Sequence, residues 1–143
     1  MYFYRARALP APNTSSAFTA CSDTEFFSSN STITYDFFPL NQGGDLDQAS
    51  GVYTCPRSGL YLFSATLVSD DRGDFLYEDF LYSVMRNGEA VVSGVCHYYN
   101  QGGNVALVEC EEGDEVWVET HSDITLFGEP GTNYACFMGA QIL

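Results

Sequence analysis

Along most of the chain apolar and polar residues alternate with a period of two, as expected for strands that bury one face in a sheet. The pattern is clearest from Leu60 to Val68. There Tyr61, Phe63, Ala65 and Leu67 fall on one face, and Leu62, Ser64, Thr66 and Val68 on the other. One fully apolar face beside a half-apolar one suits the inside of a two-sheet stack. Just upstream, Val52, Tyr53 and Thr54 are β-formers. Cys55-Pro56-Arg57-Ser58-Gly59 parts the two runs, because proline has no amide to donate to a ladder and glycine tolerates positive φ.

The same reading predicts further strands. Ala17 to Cys21 is a short one, residues 22 to 32 are polar and loop-like, and Thr32 to Phe38 alternates Ile33, Tyr35 and Phe37 against Thr34, Asp36 and Phe38. Asn41-Gln42-Gly43-Gly44 is a turn cluster. After the polar turn Ser69 to Asp74, alternation resumes from Phe75 to Met85, with Phe80, Tyr82 and Val84 opposite Leu81, Ser83 and Met85. Asn87-Gly88 suits a type I′ hairpin, since both residues accept positive φ. Glu89 to Tyr99 is the return strand, and Asn100 to Gly103 turns the chain again. Asn104 to Cys110 and Glu115 to Thr120 flank the turn Glu111 to Asp114, His121 to Asn133 is a loop, and Tyr134 to Leu143 is the last strand. Many short strands between turn signals predict an all-β sandwich.

Two motifs carry a resemblance. Gly51-Val52-Tyr53-Thr54-Cys55-Pro56, followed by Gly59-Leu60-Tyr61-Leu62-Phe63-Ser64, resembles the middle of the globular head domain of complement C1q. That domain belongs to the C1q and tumour-necrosis-factor-like superfamily. The second motif is more specific: Leu107 or Val108, then Gly113, Asp114, Val116 and Trp117, matches the family's Leu followed by Gly-Asp-x-Val. The opening Ala17-Phe18-x-Ala20 and the closing Phe137, Gly139, Ile142 and Leu143 match in kind, although Ala140-Gln141 replace the family's aromatic position.

The resemblance spans residues 17 to 143 and implies a ten-stranded jelly-roll β-sandwich that assembles as a homotrimer. Its fold motif would be Phe18, Tyr53, Gly59, Tyr61, Phe63, Gly113, Asp114, Val116, Phe137 and Gly139. Residues 1 to 16 then form an N-terminal tail, without the Gly-x-y repeat of a collagen stalk. The resemblance also implies that the first and last strands are antiparallel neighbours, which brings Cys21 near Cys136. Likewise it sets the strand near Gly59 beside the one ending near Cys110, so that Cys55 meets Cys110 and Cys96 is odd. Five free thiols are the alternative, because buried cysteine is a good small hydrophobe.

Composition narrows the function. At 143 residues the chain is one domain, able to bury about 70% of its unfolded surface. Nineteen acidic residues face five arginines and no lysine, a net charge of −14. Nucleic acid needs a cationic footprint, so it is excluded as a partner, and an anionic membrane surface is disfavoured for the same reason. No stretch approaches the ~20 apolar residues of a membrane span. Met1 to Pro10 is too short for a secretory signal, so secretion would require a leader already removed. The cysteines, at 21, 55, 96, 110 and 136, contain no CxxC pair and give no zinc cluster. With the sequons at Asn13 and Asn30 they point to an oxidising, extracellular compartment.

The chemistry-bearing residues are few. His97 and His121 belong to no HExxH motif, there is no Gly-x-Ser-x-Gly elbow, and without lysine there is no Schiff base, so no enzyme is expected. Calcium is the one cofactor with a candidate site: Asp70, Asp71 and Asp74 offer carboxylates on a bent loop, though not at EF-hand spacing, and an acidic loop is more often simply solvated. Trp117 lies between Glu115 and Glu119, opposite Val116 and Val118, as a subunit contact or a ligand platform. The loop residues Asp70, Asp71, Arg72, Asp74, Tyr98, Tyr99 and His121 are the ligand-binding candidates. Resemblance to stalkless C1q-domain proteins implies a secreted, lectin-like recognition module for glycans or microbial surface molecules. The competing expectation is a structural or cytokine-like trimer that binds a protein receptor or calcium-rich matrix.

Overall fold

The computed structural model describes residues 16–69, 79–97, 101–128 and 133–143. Its twelve strands are β1 (Ala17–Ser22), β2 (Glu25–Phe27), β3 (Ser31–Thr32), β4 (Phe37–Gln42), β5 (Tyr53–Thr54), β6 (Gly59–Leu67), β7 (Phe80–Arg86), β8 (Glu89–Cys96), β9 (Gly102–Cys110), β10 (Glu115–Thr120), β11 (Ile124–Leu126) and β12 (Ala135–Gln141). Ten of them build a jelly-roll sandwich. The first sheet runs β4-β1-β12-β6-β9; the second runs β3-β10-β7-β8, with β5 also paired to β10. Strands β2 and β11 form a separate two-stranded ribbon. The C-terminal strand β12 sits at the centre of the first sheet, antiparallel to both β1 and β6. There its backbone groups are paired on both sides.

The core lies between the sheets. Tyr61, Phe63 and Ala65 of β6 are 0% exposed, and Phe137 of β12, Val118 of β10 and Leu126 of β11 match them. Aromatic rings fill one end: Phe18 lies 4.8 Å from both Tyr53 and Phe137, and Tyr61 stacks on Phe63 at 5.9 Å. Gly139 sits in register with Phe18 and Phe63. A Cβ there would stand 2.6 Å from Phe63 Cδ1 and 2.8 Å from Phe18 Cε1, so only glycine lets both rings close over the ladder. Buried tyrosines need partners for their hydroxyls. Tyr61 donates to the Arg57 carbonyl at 2.6 Å, and Tyr53 shares a hydrogen with Ser16 Oγ at 2.6 Å.

The Gly113-Asp114 pair joins three segments. Gly113 takes φ +92°, and its amide donates to the Cys55 carbonyl. Asp114 accepts from the Glu111 amide and from Asn87 Nδ2, each at 2.9 Å, while its own carbonyl accepts from the Cys55 amide. Those bonds, the Glu111 amide first, hold its carboxyl below the ordinary carboxylate range. The Asn87-Gly88 turn has φ +51° and +90°, as a type I′ hairpin requires.

Several predicted bounds shift. No strand crosses Ile33 to Asp36. Ser31–Thr32 pairs with β10 in the second sheet, whereas Phe37–Gln42 pairs with β1 in the first, so the chain changes sheets where unbroken alternation predicts one strand. Pro39 is tolerated in β4 because that strand is a sheet edge. Gly102 and Gly103 belong to β9 rather than to a turn, and at Gly102 the Val95 carbonyl approaches too closely for a side chain. The loops predicted over 22–32 and 121–133 contain β2 and β11.

Cys21 and Cys136 are directly opposed in the β1–β12 ladder and joined by a disulfide. The Cys55–Cys110 disulfide is not formed, and both cysteines are free thiols, as is Cys96. Cys55 follows β5 of the second sheet and Cys110 ends β9 of the first, so the two thiols meet across the end of the sandwich. Burial raises the pKa of each. Cys96 is likewise pushed up to about 12 by burial. Three buried, protonated thiols are inert.

Candidate functional site

The sandwich has two outer faces, and they differ in chemistry. Alternation turns Leu60, Leu62, Ser64 and Thr66 of β6 outward, with Val105, Leu107 and Glu109 of β9 in register beside them. On the other side of β6 lie Met138 and Ala140 of β12, then Ala17 and Thr19 of β1, then Leu40 and Phe37 of β4. Leu107 is 64% exposed and Val105 63%. Glu109 is the one charged side chain among the outward positions of these five strands. A shallow depression of about 220 Å³ lies in this face between Thr19, Leu40, Leu62, Met138 and Ala140. An apolar patch of this extent on a soluble domain marks a contact surface.

The opposite face carries a chain of polar side chains around Trp117. Alternation along β10 turns Glu115, Trp117 and Glu119 outward, with Met85 and Ser83 of β7 in register beside Trp117 and Glu119. Trp117 is half-buried, and its indole N–H donates to Glu119 Oε1 at 3.3 Å. The other carboxylate oxygen lies 3.8 Å from His121 Nδ1. His121 Nε2 is 2.8 Å from Ser83 Oγ, which is 2.6 Å from Ser93 Oγ on β8. The His121 backbone is held as well, its amide donating to the Leu81 carbonyl at 2.8 Å. Leu81 and Val95, opposed in the β7–β8 ladder and both partly exposed, lie at the His121 end.

The order Ser83–His121–Glu119 has the connectivity of a nucleophile relay, but Ser83 is 1% exposed and cannot reach a substrate. The chain instead fixes the orientation of groups whose edges meet solvent. The side chains of Glu119 and His121 stay 23% and 32% exposed, and Ser93 is exposed. His121 thus sits on the flank of the second sheet, anchored by strand residues.

At the end of the sandwich a cavity of about 340 Å³ is lined by Val68, Gln101, Phe127 and Tyr134. Gln101 Nε2 donates to the Tyr134 carbonyl at 2.8 Å, and the rings of Phe127 and Tyr134 are 5.3 Å apart. Val68 stands two residues before Asp70, and Gln101 two after Tyr99. The candidates Asp70, Asp71, Arg72, Asp74, Tyr98 and Tyr99 lie outside the described residues. Among the described residues no three His, Cys, Asp or Glu side chains come together as a metal cluster. Phe127 and Tyr134 were invisible as lining residues in the sequence, because each is a single aromatic in a Gly- and Pro-containing stretch with no period.

With this geometry in view, comparison with known proteins gives a consistent result. The family model for the C1q domain matches residues 17–141. Caprin-2 of Danio rerio is 31% identical over 114 residues, which cover 75% of this chain and 12% of Caprin-2. Complement C1q tumor necrosis factor-related protein 3 of Mus musculus is 30% identical over 112 residues, 75% of this chain and 44% of that protein. The chain therefore spans less than half the length of either relative. Among solved structures, the globular domain of zebrafish complement 1qA superposes with a TM-score of 0.68 over 90% of this chain and 98% of that one. At 18% identity, that likeness carries the fold alone.

Proposed function

Because the chain belongs to the C1q-domain family, we propose that it works as a secreted homotrimer that recognises glycans or other microbial surface molecules. The observation that carries this reading is the difference between the outer faces. The first sheet offers an apolar face with one carboxylate, suited to burial against two further copies around a threefold axis. The second keeps an aromatic ring beside ordered hydrogen-bonding groups, suited to a polar ligand. The cavity lined by Val68, Gln101, Phe127 and Tyr134 lies at the end where the loop candidates Asp70, Asp71, Arg72, Asp74, Tyr98 and Tyr99 attach, and the proposal includes them as contacts. An extracellular setting agrees with the Cys21–Cys136 disulfide and with the exposed sequon at Asn30. No catalytic step belongs to this reading.

A second reading rests on the net charge of −14: a cytokine-like or structural trimer engaging a basic protein receptor or calcium-rich matrix. A glycan array probed with and without a chelator separates the two. Binding to defined glycans supports recognition of carbohydrate, and its loss on chelation supports a calcium-assisted site, for which Asp70, Asp71 and Asp74 are the proposed ligands. Silence across the array removes the glycan reading and leaves the receptor reading.

A further inference from the structure

We propose that the Trp117 face of the second sheet is a binding site for a neutral pyranose, a hexose or N-acetylhexosamine unit of a glycan. The inference rests on the glycan reading above and goes beyond it in naming the site and the sugar class. A pyranose ring has an apolar C–H face and a rim of hydroxyls. It therefore needs a flat aromatic surface with donors and acceptors set around the edge. Trp117 supplies the surface, half-buried and flanked by Met85 across the ladder. The rim is supplied by Glu119 and Ser93, with His121 linking them through Ser83.

Those groups are pre-ordered. Trp117 Nε1 to Glu119 Oε1 (3.3 Å), Glu119 Oε2 to His121 Nδ1 (3.8 Å), His121 Nε2 to Ser83 Oγ (2.8 Å) and Ser83 Oγ to Ser93 Oγ (2.6 Å) form one continuous chain. Five strand-borne or strand-adjacent side chains are thus held before a ligand arrives, which removes much of the ordering cost of binding. Ser83 is buried and acts only as the link. Glu119 and Ser93 keep lone pairs toward solvent, whereas both ring nitrogens of His121 face partners within the chain, so that His121 positions the others.

Charge selects the sugar. Glu115 and Glu119 bracket Trp117 on its own strand. The one arginine in the strands of this sheet, Arg86, donates instead to the Glu109 carbonyl at 2.7 Å. Among the described residues, a sialylated, uronic or sulfated sugar would meet carboxylates without a guanidinium to pair with. A neutral ring meets no such opposition. Leu81 and Val95, partly exposed beyond His121, extend the apolar surface for a second residue of an oligosaccharide.

Trp117 is the single tryptophan, so its emission reports the site directly. The wild-type chain is screened on a glycan array and titrated with oligosaccharides of glucose, galactose, mannose and N-acetylglucosamine, with sialyllactose for comparison. The expected result is saturable, sugar-dependent protection of Trp117 from acrylamide quenching by neutral sugars. Binding should weaken at least about ten-fold in Trp117→Ala, roughly 1.4 kcal/mol, and several-fold in Glu119→Gln and Ser93→Ala. Far-UV circular dichroism and sedimentation verify the fold of each variant, and the wild-type quenching experiment stands even if Trp117→Ala fails to fold. Array binding that survives Trp117→Ala and Glu119→Gln unchanged overturns this site while leaving glycan recognition intact. Binding of sialylated sugars alone also overturns it. A wild-type chain that binds no glycan overturns both.

Discussion

Removing the Cys21–Cys136 disulfide should lower stability by several kcal/mol without rearranging the native ladder. The two residues are 115 apart in sequence. Cross-linking a loop of that length removes about 2.1 + 1.5R ln(115) ≈ 16 cal/mol/K of chain entropy from the unfolded state, or about 4.8 kcal/mol at 25 °C. Measured effects usually fall below this ceiling, so the expected loss is about 2–5 kcal/mol. Backbone pairing of β1 with β12 continues on both sides of the bond, from Ala17 opposite Ala140 to Ser22 opposite Ala135. The folded state therefore keeps its register when the sulfurs are separated. The assay is urea unfolding followed by Trp117 emission, for wild type with and without dithiothreitol and for the Cys21→Ser/Cys136→Ser double variant, at one fixed protomer concentration. Reduction should act only at this bond, because Cys55, Cys96 and Cys110 are already thiols. The m-value should rise as the unfolded chain opens. A thiol titration under denaturant should count three before reduction and five after. Five thiols without reductant, or a stability change under about 1 kcal/mol, would refute the reasoning.

Other predictions follow from particular side chains. Leu107→Glu should dissociate the trimer. Burying the exposed part of Leu107 is worth about 1–2 kcal/mol per copy, hence about 3–6 for three copies, or 10² to 10⁴ in the dissociation constant. Val95→Glu on the other sheet should leave the sedimentation of the trimer unchanged, and the reverse pattern would put the contact on the wrong face. Tyr82→Phe should be neutral or stabilising within about 1 kcal/mol, because the Tyr82 hydroxyl is buried with no partner among the described residues, whereas Tyr61→Phe loses its bond to the Arg57 carbonyl and should cost about 1 kcal/mol. Thermal melts of the two variants test that contrast, and equal losses would contradict it. Asp114 has a depressed pKa in the folded state, so its carboxylate stabilises the fold above the ordinary carboxylate range and that contribution is lost as pH falls through the depressed value. Asp114→Asn should therefore be less stable than wild type at pH 7, with the gap closing on acidification, and a gap that stays constant with pH would disprove the assignment.

Much of the fold was legible because alternation survives wherever one face is buried. From Leu60 to Val68 the odd positions are core residues, and Phe80, Tyr82 and Val84 behave likewise in β7. Asn87-Gly88 fixed a hairpin through its φ values. The reading failed where tertiary context overrides a local period. Between Ile33 and Asp36 the side chains alternate but the backbone passes from one sheet to the other. Gly102 and Gly103 resemble a turn, yet a neighbouring carbonyl demands glycine inside a strand. The cysteines show the same limit, since proximity of Cys55 and Cys110 does not fix their bonding. The polar chain of the second sheet was half visible. Period two placed Trp117 between Glu115 and Glu119, but nothing local tied His121 to Ser83, because that contact joins residues 38 apart in sequence.

Sedimentation equilibrium of the wild-type chain tests the central claim most directly. At micromolar concentration the account predicts three copies of the 15.8 kDa chain, about 47 kDa, with Leu107 and Val105 buried between them. A single species of 15.8 kDa at that concentration would contradict it.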